Sequence, residues 1–137
     1  MSKNKYCAVV TGATRGIGYA IAERLLKDGM DVIATGTSKN AKYPEGATYY
    51  PVDFLSNDSL ITFVEFLKNQ QIDVLVNNAG INKIGEFESI DIEDFDRILR
   101  VNLRTPFQLC QAVLPNMKAN SWGRIVNITS IFGNITK

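Results

Sequence analysis

Three groups of residues in this sequence could carry chemistry, and one residue type is missing. Residues 11–18 read "TGATRGIG", with Gly12, Gly16 and Gly18 spaced around Thr14, Arg15 and Ile17. A turn that rich in glycine can present several backbone N–H groups together, which is how a chain grips a phosphate. Near the other end, "RIVNITS" delivers the hydroxyls of Thr129 and Ser130 straight after an apolar run. Between the two stand the amides of "NNAG" (77–80) and Asn102 in "VNLRTPF". Histidine is absent. That removes the usual general base, the usual partner of a nucleophilic serine and the commonest metal ligand. Serine–histidine hydrolysis is excluded, and no metal site is expected.

The elements that must position these groups alternate. Short apolar, β-branched runs predict strands at 6–12, 31–35, 47–53, 72–80 and 124–130. Helical spacing of apolar residues covers 16–29, through Ile17, Ile21 and Leu25, and 57–70, through Leu60, Val64 and Leu67. A long helical pattern follows at 89–120, its acids at the start, its apolar stripe made by Phe95, Leu99, Leu109, Val113 and Met117. The segment "GTSKNAKYPEG" (36–46) reads as a loop. Strands alternating with helices predict an α/β fold with a parallel sheet covered on both faces.

The bulk properties narrow the class. With 137 residues, 45% of them hydrophobic, the chain can build one domain with its own core, spanning 1–137. A net charge of +1 argues against a nucleic-acid or anionic-membrane surface. No apolar run approaches the roughly 18 residues that cross a bilayer. The lysine-bearing start resembles a signal peptide only faintly, because its apolar part is short and runs into glycines. Cys7 and Cys110 are the only cysteines, one in a strand-like run and one in a helical run, which fits buried packing roles in a reducing, cytoplasmic setting.

Placed after the first strand and before the first helix, the glycine turn reads as a nucleotide site. Gly12 turns the chain, Gly16 lets backbone approach an anion, and Gly18 lets helix and sheet pack closely. No Gly-Lys-Ser/Thr follows, so an ATPase-type phosphate loop is disfavoured. Composition and periodicity take the argument this far: an α/β nucleotide binder.

Four motifs in order, "TGATRGIG", "NNAG", "VNLRTPF" and "IVNITS", resemble the short-chain dehydrogenase/reductase family over essentially the whole chain. The resemblance implies a Rossmann-type, doubly wound, three-layer sheet and a nicotinamide dinucleotide. An enzyme using NAD commonly places an acid about 20 residues beyond the glycine turn. Here that stretch is "ATGTSKN", with no carboxylate, while Arg15 and Thr37 could meet a ribose 2′-phosphate. NADP(H) is therefore the expected cofactor, and NAD the less favoured one. By resemblance Asp53 meets the adenine with the Phe54 backbone beside it, and Asn78, Ala79 and Gly80 line the cofactor ribose. Asp53 could instead simply open a turn, and "NNAG" could simply end a strand.

Asn102 sits on an apolar stripe four residues before Pro106, which crowds the carbonyl of residue i−4. The expectation is an inward amide with a freed carbonyl; a proline kink is the plainer alternative. By resemblance, Asn102 holds a water of a proton relay, and Ser130 hydrogen-bonds the substrate carbonyl. The family's proton donor is a tyrosine of a Tyr-x-x-x-Lys pattern on the next helix. All five tyrosines lie upstream of Ser130, none has lysine four residues later, and Lys137 precedes the expected tyrosine. The expectation is a catalytically incomplete N-terminal part of a reductase, with the sheet unfinished at its C-terminal edge. The leading activity is NADPH-dependent reduction of a carbonyl, a 3-oxoacyl thioester first. An NAD-dependent alcohol or sugar dehydrogenase and a non-catalytic dinucleotide-binding module are the alternatives. The partners expected are the dinucleotide, a small carbonyl substrate and, for the full-length parent, further copies of itself.

Overall fold

Segments such as "CAVV" and "VLVN", apolar at nearly every position rather than every second one, belong to strands covered on both faces. The computed structural model describes residues 5–130 and places these segments at the centre of one five-stranded sheet. The strands are β1 (Cys7–Val10), β2 (Asp31–Gly36), β3 (Thr48–Pro51), β4 (Val74–Asn77) and β5 (Arg124–Asn127). Their order is β3-β2-β1-β4-β5, and every neighbouring pair is parallel. The fold is therefore α/β and Rossmann-like. Lys3 in the lysine-bearing start, and Lys137, fall outside the described residues.

Strand pleating divides the core in two. Val9, Ile33 and Leu75 face one way, into a cluster with Leu60, Phe63 and Leu67 of α2 (Asn57–Lys68) and Leu109, Val113 and Met117 of α4 (Thr105–Ala119). Ala8, Val10, Ala34 and Val76 face the other way, toward α1 (Gly16–Lys27). That second face is built from small residues, so α1 lies close to the sheet through Gly18 and Ala22. The chain leaves β1 to one side for β2 and β3, then returns to β4 on the other side of β1. Such a reversal opens a crevice at the carboxyl ends of the strands, beside the β1 turn.

Two sequence readings need correction. Ile17 is 64% exposed, and the buried stripe of α1 runs through Gly18 and Ala22, with Ile21 and Leu25 half-buried beside it. The long helical pattern is also not one helix. A short 3₁₀ turn (Phe87–Ser89) precedes α3 (Ile92–Leu99), which passes into a π-helical turn (Arg100–Arg104) and then α4. The Thr105 N–H donates to the Arg100 carbonyl, five residues back. One added residue per turn rotates the following face by about 100°, so a stripe drawn through both halves is not one stripe. Leu109, Val113 and Met117 are buried, whereas Phe95 and Leu99 are 49% and 40% exposed.

β5 is the outer strand on its side among the described residues, and Val126 and Ile128 are exposed there. Cys7 and Cys110 are half-buried and share no disulfide. Among the described residues no helix is long and apolar enough to cross a membrane.

Candidate functional site

The turn after β1 is built by hydrogen bonds from both neighbouring strands. Thr11, 2% exposed, donates its hydroxyl to the Val76 carbonyl at 3.3 Å and accepts the Asn78 and Ala79 N–H groups at 3.0 Å each. The Asn78 carboxamide donates back to the Thr11 and Gly12 carbonyls at 3.0 and 3.1 Å. From the β2 side, the Thr35 hydroxyl accepts the Gly12 N–H at 3.3 Å and the Thr35 carbonyl accepts the Ala13 N–H at 2.8 Å. The sequence carries no signal for these roles: Thr11 looks like a polar residue opening a turn, and Thr35 like any β-branched strand residue.

The three glycines of the turn differ in backbone conformation and in surroundings. Gly12 and Gly16 have φ of +65° and +56°, which side chains rarely adopt. A Cβ on Gly16 would meet nothing within 4 Å, because that position opens toward the crevice. Gly18 is different. A Cβ there would stand 2.4 Å from both the Gly12 carbonyl oxygen and the Asn78 amide nitrogen. The first turn of α1 carries no capping side chain and no acidic residue, whereas α2 and α3 begin with side-chain caps from Ser56 and Asp91. The start of α1 thus has no side-chain cap on its first amides, at the positive end of the helix dipole.

A crevice of about 630 Å³ runs along the strand ends. The turn contributes Gly12, Thr14, Arg15, Gly16 and Ile17; the end of β2 contributes Thr37. Asp53 and Phe54 enter after β3, and Asn78, Ala79 and Gly80 after β4. Of the residues read from sequence as cofactor contacts, Gly18 alone lies behind the wall rather than on it.

Asp53 is exposed, and its carboxylate accepts the Leu55 N–H at 2.9 Å, so it does open a turn while also lining the crevice. Phe54 is buried, and its carbonyl accepts Arg100 Nε at 3.2 Å. Arg100 also donates to Asn57 Oδ1, so the π-helical turn reaches across to the β3 exit. Sequence offered no signal for that contact.

Asn102 departs from expectation. Its side chain is not turned inward among apolar neighbours; the residue is exposed, carried outward by the π-helical turn. Its Oδ1 accepts the Ile81 N–H at 2.9 Å and its Nδ2 donates to the Ile81 carbonyl at 2.8 Å. This two-bond clasp fixes Ile81, which lines the crevice next to Gly80. Ser130 lies beyond β5 and is exposed. Neither Asn102 nor Ser130 lines the crevice itself.

Burial, with the neighbouring Tyr43 phenol as a lesser cause, raises the Tyr49 pKa above its usual value near 10.

Matched against known proteins, residues 6–137 fit the family described as short chain dehydrogenase. The chain belongs to that family. A 3-oxoacyl-(acyl-carrier-protein) reductase of Aquifex aeolicus is 41% identical to it, over 92% of this chain and 56% of that protein. A D-beta-hydroxybutyrate dehydrogenase of Rhizobium meliloti is 34% identical, over 92% of this chain and 54% of that protein. The chain thus spans about half the length of the curated relatives it matches. Among solved short-chain dehydrogenases, a metagenomic short-chain oxidoreductase in complex with NADP superposes with a TM-score of 0.83 at 31% identity. That match covers 96% of this chain and 65% of the other.

Proposed function

We propose that this chain is the dinucleotide-binding part of an NADPH-dependent carbonyl reductase, folded as one unit over residues 1–137. One observation carries the reading. The uncapped start of α1 opens on a crevice that Arg15 and Thr37 line, and no carboxylate stands at the end of β2. A pyrophosphate fits that helix start, with Gly16 giving it backbone to approach. Arg15 can pair with a ribose 2′-phosphate that an acid in the same place would repel. The NADP bound by the structural relative supports the same choice.

The residues then divide the work. The cofactor, when bound, supplies a hydride to the substrate carbonyl carbon. Asn78, Ala79 and Gly80 flank its ribose, and Asp53 with Phe54 its adenine end. Ser130 donates a hydrogen bond to the carbonyl oxygen, polarising it. Asn102 keeps the wall beside Gly80 in place through Ile81. The proton that completes the alcohol is assigned to a tyrosine paired with lysine, a pattern that none of the five tyrosines here forms. These 137 residues alone are therefore expected to bind without turnover. A 3-oxoacyl thioester is the first substrate class, supported by the acyl-carrier-protein reductase relative. Oxidation of a hydroxy acid is the second reading, supported by the hydroxybutyrate dehydrogenase. Association of the whole protein with its own copies belongs to the proposal, supported by exposed Leu103 and Phe107.

Calorimetric titration with NADPH and with NADH tests the reading. Tighter binding of NADPH is expected. Equal or tighter binding of NADH rejects the cofactor assignment, and binding of neither rejects the function.

A further inference from the structure

Between β2 and β3 the chain makes an eleven-residue loop-like passage, from Thr37 to Ala47, that brings Thr37 to the crevice. Such a passage needs something to hold it. Part of the answer is local: the Ser38 hydroxyl oxygen accepts the Asn40 N–H at 3.3 Å, and the Ser38 carbonyl accepts the Ala41 N–H at 3.3 Å. The shortest bond comes from β3. Tyr49 of β3 donates its hydroxyl to the same Ser38 carbonyl at 2.6 Å.

The Tyr49 ring is itself well placed for this. It lies on the α1 face of the sheet, and Tyr43 stacks on it with centroids 4.7 Å apart and planes 5° from parallel. Its phenol passes over Gly36, where a Cβ would stand 2.9 Å from the hydroxyl and 2.4 Å from Thr14 Cγ2. The hydroxyl therefore sits where the glycine turn, through Thr14, meets the loop after β2. Burial raises its pKa above the ordinary phenol value.

We propose that Tyr49 is the positioning residue for cofactor discrimination: by holding the Ser38 carbonyl it sets the turn that presents Thr37 to the 2′ position of the adenosine ribose. This rests on the NADPH reading above. Because the pyrophosphate grip lies on Gly16 and the start of α1, loosening Ser38 disturbs recognition at the 2′ position and leaves the 5′-phosphate contacts in place.

The test uses adenosine 2′,5′-bisphosphate and AMP as probes, titrated calorimetrically into the purified protein and its Tyr49→Phe variant. Losing one hydrogen bond is expected to weaken the bisphosphate about 2- to 10-fold while AMP changes by less than about twofold. Tyr43→Phe, which keeps the stacked ring, leaves the ratio as in the wild type. Hydrogen exchange supplies a second readout. In Tyr49→Phe the Ala41 amide exchanges faster while the Ala13 amide, bonded to Thr35, does not. A wild type that prefers the bisphosphate, with Tyr49→Phe leaving that preference and Ala41 exchange unchanged, overturns this inference alone. A wild type that binds both probes equally overturns the NADPH reading, and this inference with it.

Discussion

The Asn78 carboxamide donates to two successive carbonyls of the β1 turn, Thr11 at 3.0 Å and Gly12 at 3.1 Å. The Thr11 hydroxyl in turn accepts the N–H groups of Asn78 and Ala79. Four bonds thus tie the turn that opens α1 to the segment leaving β4, although 66 to 68 residues separate the partners. The β1-turn wall and the β4-exit wall of the crevice are therefore tied directly to each other.

Thr11→Val keeps the shape of the side chain and removes the acceptor, leaving the Asn78 and Ala79 amides without their bond. The expected cost is about 1–3 kcal/mol of stability, because half-buried donors shielded from water are left without a partner. Thr11→Ser, which keeps the hydroxyl, is expected to lose about 1 kcal/mol or less. Urea denaturation of the two variants reads the difference; equal midpoints would remove the hydroxyl from the explanation.

Gly18→Ala and Gly16→Ala separate crowding from backbone strain. At Gly18 the new methyl meets the Gly12 carbonyl and the Asn78 amide at 2.4 Å, so the turn or the helix must shift. A loss of about 1–3 kcal/mol is expected, with dinucleotide binding lost as the turn moves. At Gly16 the methyl meets open space but must adopt a φ near +56°, at a cost of about 1–2 kcal/mol. Thermal unfolding and NADPH fluorescence titration, taken together, should show Gly18→Ala weakened in binding beyond its loss of stability.

Asn102→Leu opens the clasp on Ile81. NADPH binding is expected to weaken about tenfold, the equivalent of losing two net hydrogen bonds at the crevice wall. Asn102→Asp retains an acceptor for the Ile81 N–H but sets a carboxylate against the Ile81 carbonyl, so it should fall no closer to wild type than Asn102→Leu. Wild-type affinity in both variants would mean that Ile81 keeps its place without the clasp.

The raised pKa of Tyr49 gives a pH dependence with a definite sign. A group whose folded pKa lies above its unfolded value binds the extra proton in the folded state. Its contribution is complete below the usual tyrosine pKa near 10 and is lost as pH rises through the higher folded value. Wild-type stability should therefore fall relative to Tyr49→Phe as pH climbs above about 10, with no divergence between pH 6 and 9. Paired urea titrations across that range check it, and parallel curves throughout would count against the shift.

Much of this protein is written locally along the chain. "TGATRGIG" places three glycines where a turn, an open approach and a close packing contact are needed, and each need is visible in spacing of a few residues. The alternation of apolar runs carries the parallel α/β architecture, because buried strands and amphipathic helices differ in period. Residues 14–17, Thr37, Asp53 and 78–80 fall along one crevice because each follows the carboxyl end of a strand, and parallel strands bring those ends to one edge.

What stayed hidden has a common cause: it depends on partners far away in sequence or on the angular phase of a helix. Thr11 looks like a loop threonine until β4 arrives beside it. Arg100 looks like a solvated cation until the Phe54 carbonyl and Asn57 come within reach. Tyr49 looks like a strand aromatic until the Ser38 carbonyl turns to meet its hydroxyl. The π-helical turn at Arg100–Arg104 rotates Phe95 and Leu99 off the stripe that buries Leu109 and delivers Asn102 to Ile81 rather than to the core. Periodicity reports which residues share a face only while the turn is constant; side-chain bonds between strands exist only once the sheet has assembled them.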